Sequence, residues 1–262
     1  MTEGLVGAGD LRAPRLADVV AGRIRELILD GKLGDGERLP PLDTLVEQFR
    51  VSGPTMREAM RTLEAEGLIV VQRGMLGGAL VRRPTPRIAA YMLALVLRSN
   101  GTQKGDVAEA LSLLTPLSAI LCARRSDRKR TVVRELRKAN RQARALVEAD
   151  LREFNAAMIE FHSLLVRQCE NSTLQLLIGA LGAVWRADVE SWLTSVAEQG
   201  LYPVAERLID VEDHEHVTDL IAAGDDFEAG QAMAKHLGSM RIYANGPNPA
   251  DPVDPQAIRL GR

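Results

Sequence analysis

Hydrophobic positions recur at helical spacing along most of the chain. Leu16, Val19, Val20, Ile24, Leu27 and Ile28 mark an amphipathic helix that stops at Gly31. Leu42, Leu45, Val46 and Phe49 put one buried stripe on a second helix, and Met56, Ala59, Met60 and Leu63 do the same for a third. Ser52 suits the N-cap of the third helix, because its hydroxyl can accept a free backbone N–H. Pro54 is tolerated in the first turn, and Gly67 ends the helix. The pattern then turns strand-like: Ile69–Gln72 and Ala79–Arg82 read as two strands, with Gly74, Gly77 and Gly78 in the turn. Arg57 and Arg61 lie four apart, away from the buried stripe. Two packed helices with a basic outer face and a ribbon behind them predict a winged helix-turn-helix, whose second helix enters the DNA major groove. Its predicted extent is 13–83, after a Gly-rich mobile arm at 1–12.

Arg82-Arg83-Pro84-Thr85-Pro86 is the clearest boundary, since two prolines two apart exclude a helix interior. With 84–86 as linker, everything beyond reads as helix: Arg87–Arg98, Asp106–Arg125 interrupted and kinked at Pro116, Asp127–Glu148, Leu151–Cys169, Thr173–Val196, Tyr202–Ala223 and Asp225–Tyr243. The fold class is therefore mainly α, a three-helix winged domain with a β-ribbon followed by an all-helical bundle at 87–244. The four prolines from Pro247 to Pro255 make 245–262 read as a disordered tail.

Composition agrees with two cores. The chain has 262 residues, 46% of them hydrophobic, and only 3% aromatic, which favours aliphatic helix packing over sheet. Net charge is −2, and 13–83 is nearly balanced, so DNA affinity must come from how charge is arranged on one face. Two cysteines, Cys122 and Cys169, supply neither a disulfide framework nor zinc-ribbon spacing. The start lacks the charged and apolar regions of a signal peptide, and no run approaches 18 uninterrupted apolar residues. The expectation is a cytoplasmic protein without a membrane partner.

The segments ADVVAGRIRELILDGKLGDGERLP, VSGPTMREAMRTLEAEGLIVVQRG and LGGALV resemble the winged-helix domain of GntR-type bacterial transcription regulators. PLSAILCARRSD, EFHSLLVRQCENSTL and DHEHVTDLIAAGDDFEAGQAMAKHL are similar to the FCD-type (FadR C-terminal domain) effector domain of that family. The resemblance implies a homodimer on a short palindromic operator, responsive to a small ligand that is often a carboxylate. Two-fold symmetry also follows from geometry, because one recognition helix reads only a few base pairs. Candidate DNA-contacting residues are Arg50, Ser52, Thr55, Arg57 and Arg61, with Arg73, Gly77 and Gly78 in the wing.

Two family features are missing from the DNA-binding half. Family members usually continue Leu-Pro with Ser-Glu-Arg; here stand Pro41, Leu42 and Asp43, so a capping Ser and a DNA-contacting Arg are lost. The Arg that usually follows Val-Ser is Gly53, while Arg57 stands where a DNA-contacting Arg is expected. Each lost phosphate contact weakens binding and its salt dependence.

The effector half departs as well. Family members often hold a divalent metal through one Asp and three His; His162, His214 and His236 match those His, and Met158 replaces the Asp. Three imidazoles suit zinc or nickel. An Arg that commonly grips the ligand carboxylate is replaced by Leu111, and the Glu four residues later by Thr115. The implied effector pocket, of Leu111, Leu114, Met158, His162, His214 and His236, with Trp185 or Trp192 nearby, is apolar and fits an apolar effector. An enzyme is the weaker reading: there is no HExxH, GxSxG or phosphate loop, and no obvious carboxylate beside the His set. A family member with reduced DNA binding, acting as a ligand- or metal-binding protein, is the alternative that Asp43 and Gly53 support.

Overall fold

The computed structural model describes residues 15–72, 78–186, 202–239 and 250–258. Arg73, Gly74, Gly77 and Trp192 lie outside them. The chain divides into two compact units, at Thr85 and Pro86.

The first unit contains α1 (Leu16–Leu29), α2 (Leu42–Phe49), α3 (Gly53–Ala65), β1 (Ile69–Gln72) and β2 (Gly78–Val81). Val20, Ala21, Ile24 and Ile28 of α1 meet Met56, Ala59, Met60 and Leu63 of α3, with Leu45 of α2 and Ile69, Ala79 and Val81 of the ribbon closing the core. β1 and β2 pair antiparallel, Ile69 opposite Val81 and Gln72 opposite Gly78. The outer edge of β2 is covered by the 36–39 segment, through Leu39 N–H to the Ala79 carbonyl and Val81 N–H to the Glu37 carbonyl, both 2.8 Å. Gly78 has φ of +141°, a region that disfavours side chains, and a Cβ there would lie 3.2 Å from Nη1 of Arg38. α2 starts after Pro41 without a side-chain cap, as its sequence implies, and Asp43 in its first turn offsets part of that loss by facing the positive helix end.

The second unit comprises α4 (Pro86–Ser99), α5 (Lys104–Arg124), α6 (Val132–Ala145), α7 (Leu151–Gln168), α8 (Ser172–Arg186), α9 (Val204–Ala223), α10 (Asp226–Ser239) and a 3-10 turn at Pro255–Ala257. α5 is central and packs against α7, α8, α9 and α10. Its mean hydropathy of 1.5 and length of 21 residues would allow a membrane span, but half of that window is buried inside the bundle. Pro116 does not interrupt it: one helix runs through the proline, whose side chain is buried. α6 is shorter than its sequence suggests, because Arg125 holds 127–131 in turns through Asp127 and Thr131. It buries Val132, Val133, Leu136, Ala139 and Ala143 on one stripe.

The proline-rich end is not disordered throughout. Val253 and Ile258 are buried, Val253 N–H donates to the Thr102 carbonyl, and Lys104 N–H donates to the Asp251 carbonyl. Prolines there remove donors and fix φ but leave this strand-like segment enough N–H groups and apolar side chains to dock. The expectation of a tail disordered from residue 245 fails for 250–258.

Two helices of the bundle meet closely at Gly230, where a Cβ would sit 2.7 Å from Cγ1 of Ile120. Gly230→Val should therefore destabilise the protein by about 2 kcal/mol through overpacking, measured by urea unfolding of the full chain.

Candidate DNA-binding surface and effector pocket

The recognition surface begins with the cap of α3. Oγ of Ser52 accepts from Thr55 N–H at 3.3 Å and lies 2.8 Å from Oγ1 of Thr55. Both hydroxyls are thus first employed in starting the helix. Arg50 ends α2 in a left-handed conformation, φ of +53°, and its side chain is exposed. Arg57 and Arg61 are exposed on α3. Their neighbouring acids are engaged elsewhere: Glu58 pairs with Arg15 at 3.7 Å, and Glu64 accepts from Val71 N–H at 3.2 Å. Among the described residues neither Arg57 nor Arg61 has an ion-pair or hydrogen-bond partner. Neither Glu58 nor Glu64 therefore neutralises the two arginines. The guanidinium of Arg57 folds over Gly53, its Nη1 3.4 Å from where a Cβ would be. Asp43 is exposed on α2.

In the second unit three helices bring three imidazoles together. Nε2 of His214 (α9) lies 3.2 Å from Nε2 of His162 (α7) and 2.9 Å from Nε2 of His236 (α10). His214 also stacks on Phe161, ring centroids 3.8 Å apart. Nδ1 of His236 faces Asp213 Oδ2 at 3.3 Å, so a carboxylate does stand beside the His set. Sequence reading missed it because Asp213 is the neighbour of a ligand candidate in the chain and reaches a different one in space. Asp210, Asp213 and His236 form a second group of donor atoms within 4.8 Å. Tyr202 donates a hydrogen bond to Asp210.

Burial disfavours positive charge in this cluster. It lowers the pKa of His162 to about 3, with the nearby His236 adding to the effect, and holds His214 well below its ordinary value. The hydrogen bond from His236 keeps the Asp213 carboxyl below the usual range, whereas burial raises that of Asp210.

Protons alone satisfy this cluster poorly. A neutral imidazole has one N–H and one acceptor nitrogen. If His236 donates from Nδ1 to Asp213, its Nε2 can accept from His214, and His214 then has no lone pair at Nε2 for His162. The Nδ1 atoms of His162 and His214 are buried without partners among the described residues. A cation at the three Nε2 atoms would use all three lone pairs. Metal–nitrogen bonds of about 2.0–2.1 Å at tetrahedral or octahedral angles require N···N separations of roughly 2.9–3.4 Å, and the two measured separations, 2.9 and 3.2 Å, fit. These His and Asp residues could hold a metal. Met158 is buried and lines the neighbouring cavity.

That cavity, of about 250 Å³, lies between α5, α7 and α8. His162 is on its wall; Leu111, Met158 and Trp185 line it as the sequence suggests, whereas Leu114 packs on the core and is not among the lining residues. The sequence reading missed Thr115 as a wall residue, and Asn155, Ile178 and the glycines Gly179 and Gly182 altogether. Two glycines three apart within a helical run are the one signal that could have found them. Glu160 and Glu215 are taken by Arg167 and Arg144.

A winged helix followed by a helical bundle that encloses a ligand-sized cavity defines a ligand-responsive DNA-binding transcription regulator. Residues 16–76 match the bacterial regulatory proteins of the gntR family and residues 106–239 match the FCD domain, so the chain belongs to the gntR family, with an FCD domain as its second unit. It is 26% identical to the HTH-type transcriptional regulator LutR of Bacillus subtilis over 84% of this chain and 97% of LutR. It is 26% identical to the HTH-type transcriptional repressor NanR of Cronobacter sakazakii over 90% of this chain and 87% of NanR. A putative regulator of Mycobacterium gastri, RmpR, is 32% identical over about half of each chain, 54% and 50%. The solved structure of a Streptococcus agalactiae GntR protein shares the fold, with TM-score 0.60 and 22% identity over 88% of this chain and 100% of that one.

The lowered pKa of His162 sets a sign for acid stability. Its folded pKa, about 3, is below its unfolded value, so below pH 6.5 the unfolded chain binds a proton that the folded one refuses. Stability is thus lost as pH falls from 6.5 towards 3. With chelator present, Tm should fall over this range less steeply for His162→Gln than for the wild type in differential scanning calorimetry.

Proposed function

We propose that the protein acts as a homodimer on a short palindromic operator, with Arg57 and Arg61 of α3 as its main basic contacts, Arg50, Ser52, Thr55 and Gly78 beside them, and Arg73 and Gly77 supplied by the wing. The observation that carries this is that Arg57 and Arg61 are exposed and, among the described residues, unpaired although Glu58 and Glu64 adjoin them. A cation with no protein partner is the one best placed for a phosphate or a guanine edge. The homodimer is supported by an apolar stripe on α4, where Ile88, Met92, Leu95 and Val96 are all exposed. The enzyme reading has less support, because Asp213 and Asp210, the carboxylates beside His236, are hydrogen-bonded to His236 and Tyr202 and do not line the cavity.

The effector would occupy the cavity beside His162, and a divalent metal, zinc or nickel, would be held by His162, His214 and His236. A bound metal would supply charge and an open coordination position; the chain's own part is to orient the imidazoles, which Asp213 does for His236 and Phe161 for His214. Such a ligand acts only through unequal affinity for two arrangements of the chain. A second reading, weak DNA binding, draws on the exposed Asp43, which would repel a phosphate.

Operator binding followed by fluorescence anisotropy tests the DNA role. Arg57→Ala and Arg61→Ala should each weaken binding about ten-fold and reduce the salt slope by about one, and Asp43→Arg should tighten it. Met92→Glu should shift the sedimenting species from dimer to monomer and weaken operator binding with it. Unchanged affinity in both arginine variants would remove α3 as the recognition helix. For the metal, zinc added to chelator-treated protein should raise Tm in the wild type and not in His214→Ala.

A further inference from the structure

The cavity between α5, α7 and α8 carries chemistry more specific than an apolar pocket. Its apolar wall is Leu111, Met158, Ile178 and Trp185. Into it face two polar side chains on residues only 5% and 4% exposed, Thr115 and Asn155. Neither side chain has a hydrogen-bond partner among the described residues. A threonine hydroxyl and a carboxamide together offer three donors and several acceptor sites, and buried groups of this kind are almost always paired. Their polar atoms are accessible from the cavity, so water or a ligand entering it supplies the partner.

Charge narrows the class. The cavity's two arginines, Arg167 and Arg186, belong to exposed residues, and Arg167 is held by Glu160 at 2.7 Å. Among the described residues no lysine or arginine is buried near Thr115 and Asn155. With no metal at His162, a carboxylate placed against them would lose its hydration without gaining a buried cation. An uncharged oxygen or amide group loses less and can be matched donor to acceptor by both side chains.

The helix wall is also built for room. Gly179 and Gly182 stand inside α8, where glycine is a poorer helix former than alanine. At Gly179 a Cβ would meet nothing within 4 Å, so close packing does not require the glycine. Gly179 is itself exposed, so it lines the cavity where the cavity meets solvent, and a larger side chain there would crowd that opening.

We propose that this cavity selects a largely apolar molecule carrying an uncharged oxygen or amide group, received by Thr115 and Asn155, and discriminates against carboxylates. The inference rests on the cavity being the effector site, as proposed above.

Three probes of one chain length test it: octanamide, 1-octanol and octanoate, titrated calorimetrically into the full chain, both chelator-treated and zinc-loaded. Octanamide and octanol should bind at least about ten-fold more tightly than octanoate in the chelator-treated form, and zinc should narrow that gap only through His162. Thr115→Val, which keeps the side chain's shape, and Asn155→Leu should each weaken octanamide binding about ten-fold and leave octanoate nearly unchanged. Gly179→Leu should abolish binding of all three without lowering Tm, since its side chain projects into open space. Preference for octanoate in the chelator-treated form, absence of binding by every probe, or octanamide binding insensitive to both polar variants would overturn the inference. Operator affinity measured alongside separates the two claims. Octanamide that binds through Thr115 and Asn155 without altering operator affinity supports the ligand class and overturns the effector role.

Discussion

The second unit depends on how closely α10 can lie along α5. At Gly230 the backbone of one helix rests against Ile120 of the other, in space that a single methyl group would overfill. This approach sets the height of α10, and therefore where His236 meets His214 and His162. Interiors packed at this density do not deform gradually, so a shift of α10 would move the imidazole cluster as a whole. The same contact also explains why the apolar α5 belongs in a core: it is covered by four helices and half of it is hidden from solvent.

In the first unit the decisive forces are electrostatic and local in space, not in sequence. The acids on α3 could have neutralised its arginines. Glu58 instead reaches Arg15, before α1, and Glu64 satisfies a strand N–H at Val71. Exposed ion pairs like that of Glu58 contribute little to stability. Their consequence lies in what they leave unpaired, two guanidiniums on the face that a winged helix presents to DNA. A chain of net charge −2 can thereby keep a positive surface where it is needed.

The imidazole cluster and the cavity share His162 and are otherwise separate in chemistry. The cluster gathers lone pairs in a place where burial discourages protonation, an environment suited to a metal cation. The cavity gathers apolar walls and two buried uncharged polar side chains, with two arginines of exposed residues also in its lining. The replacement of two charged family positions by Leu111 and Thr115 is coherent with that difference: both residues line the cavity, one as wall and one as hydrogen-bonding group.

Much of this was readable from the chain alone. Helical and alternating periods follow from local geometry, so the three helices, the ribbon and the bundle's helices could be placed by counting apolar positions. The cap at Ser52 follows from one hydroxyl and the N–H groups beside it, and the boundary at Pro84–Pro86 follows from ring geometry. Three histidines scattered over 75 residues could be suspected only through family resemblance. Tertiary structure decided the rest, because each outcome depends on residues far apart in sequence. It decided that Val253 and Ile258 find a binding surface despite the prolines around them, and that Asp213 serves His236 across 23 residues. It decided that Thr115 and Asn155 share a cavity. It also decided that Arg57 and Arg61, with acids beside them in the chain, remain unpaired: α1 and β1 had to fold against α3 before those acids acquired other partners.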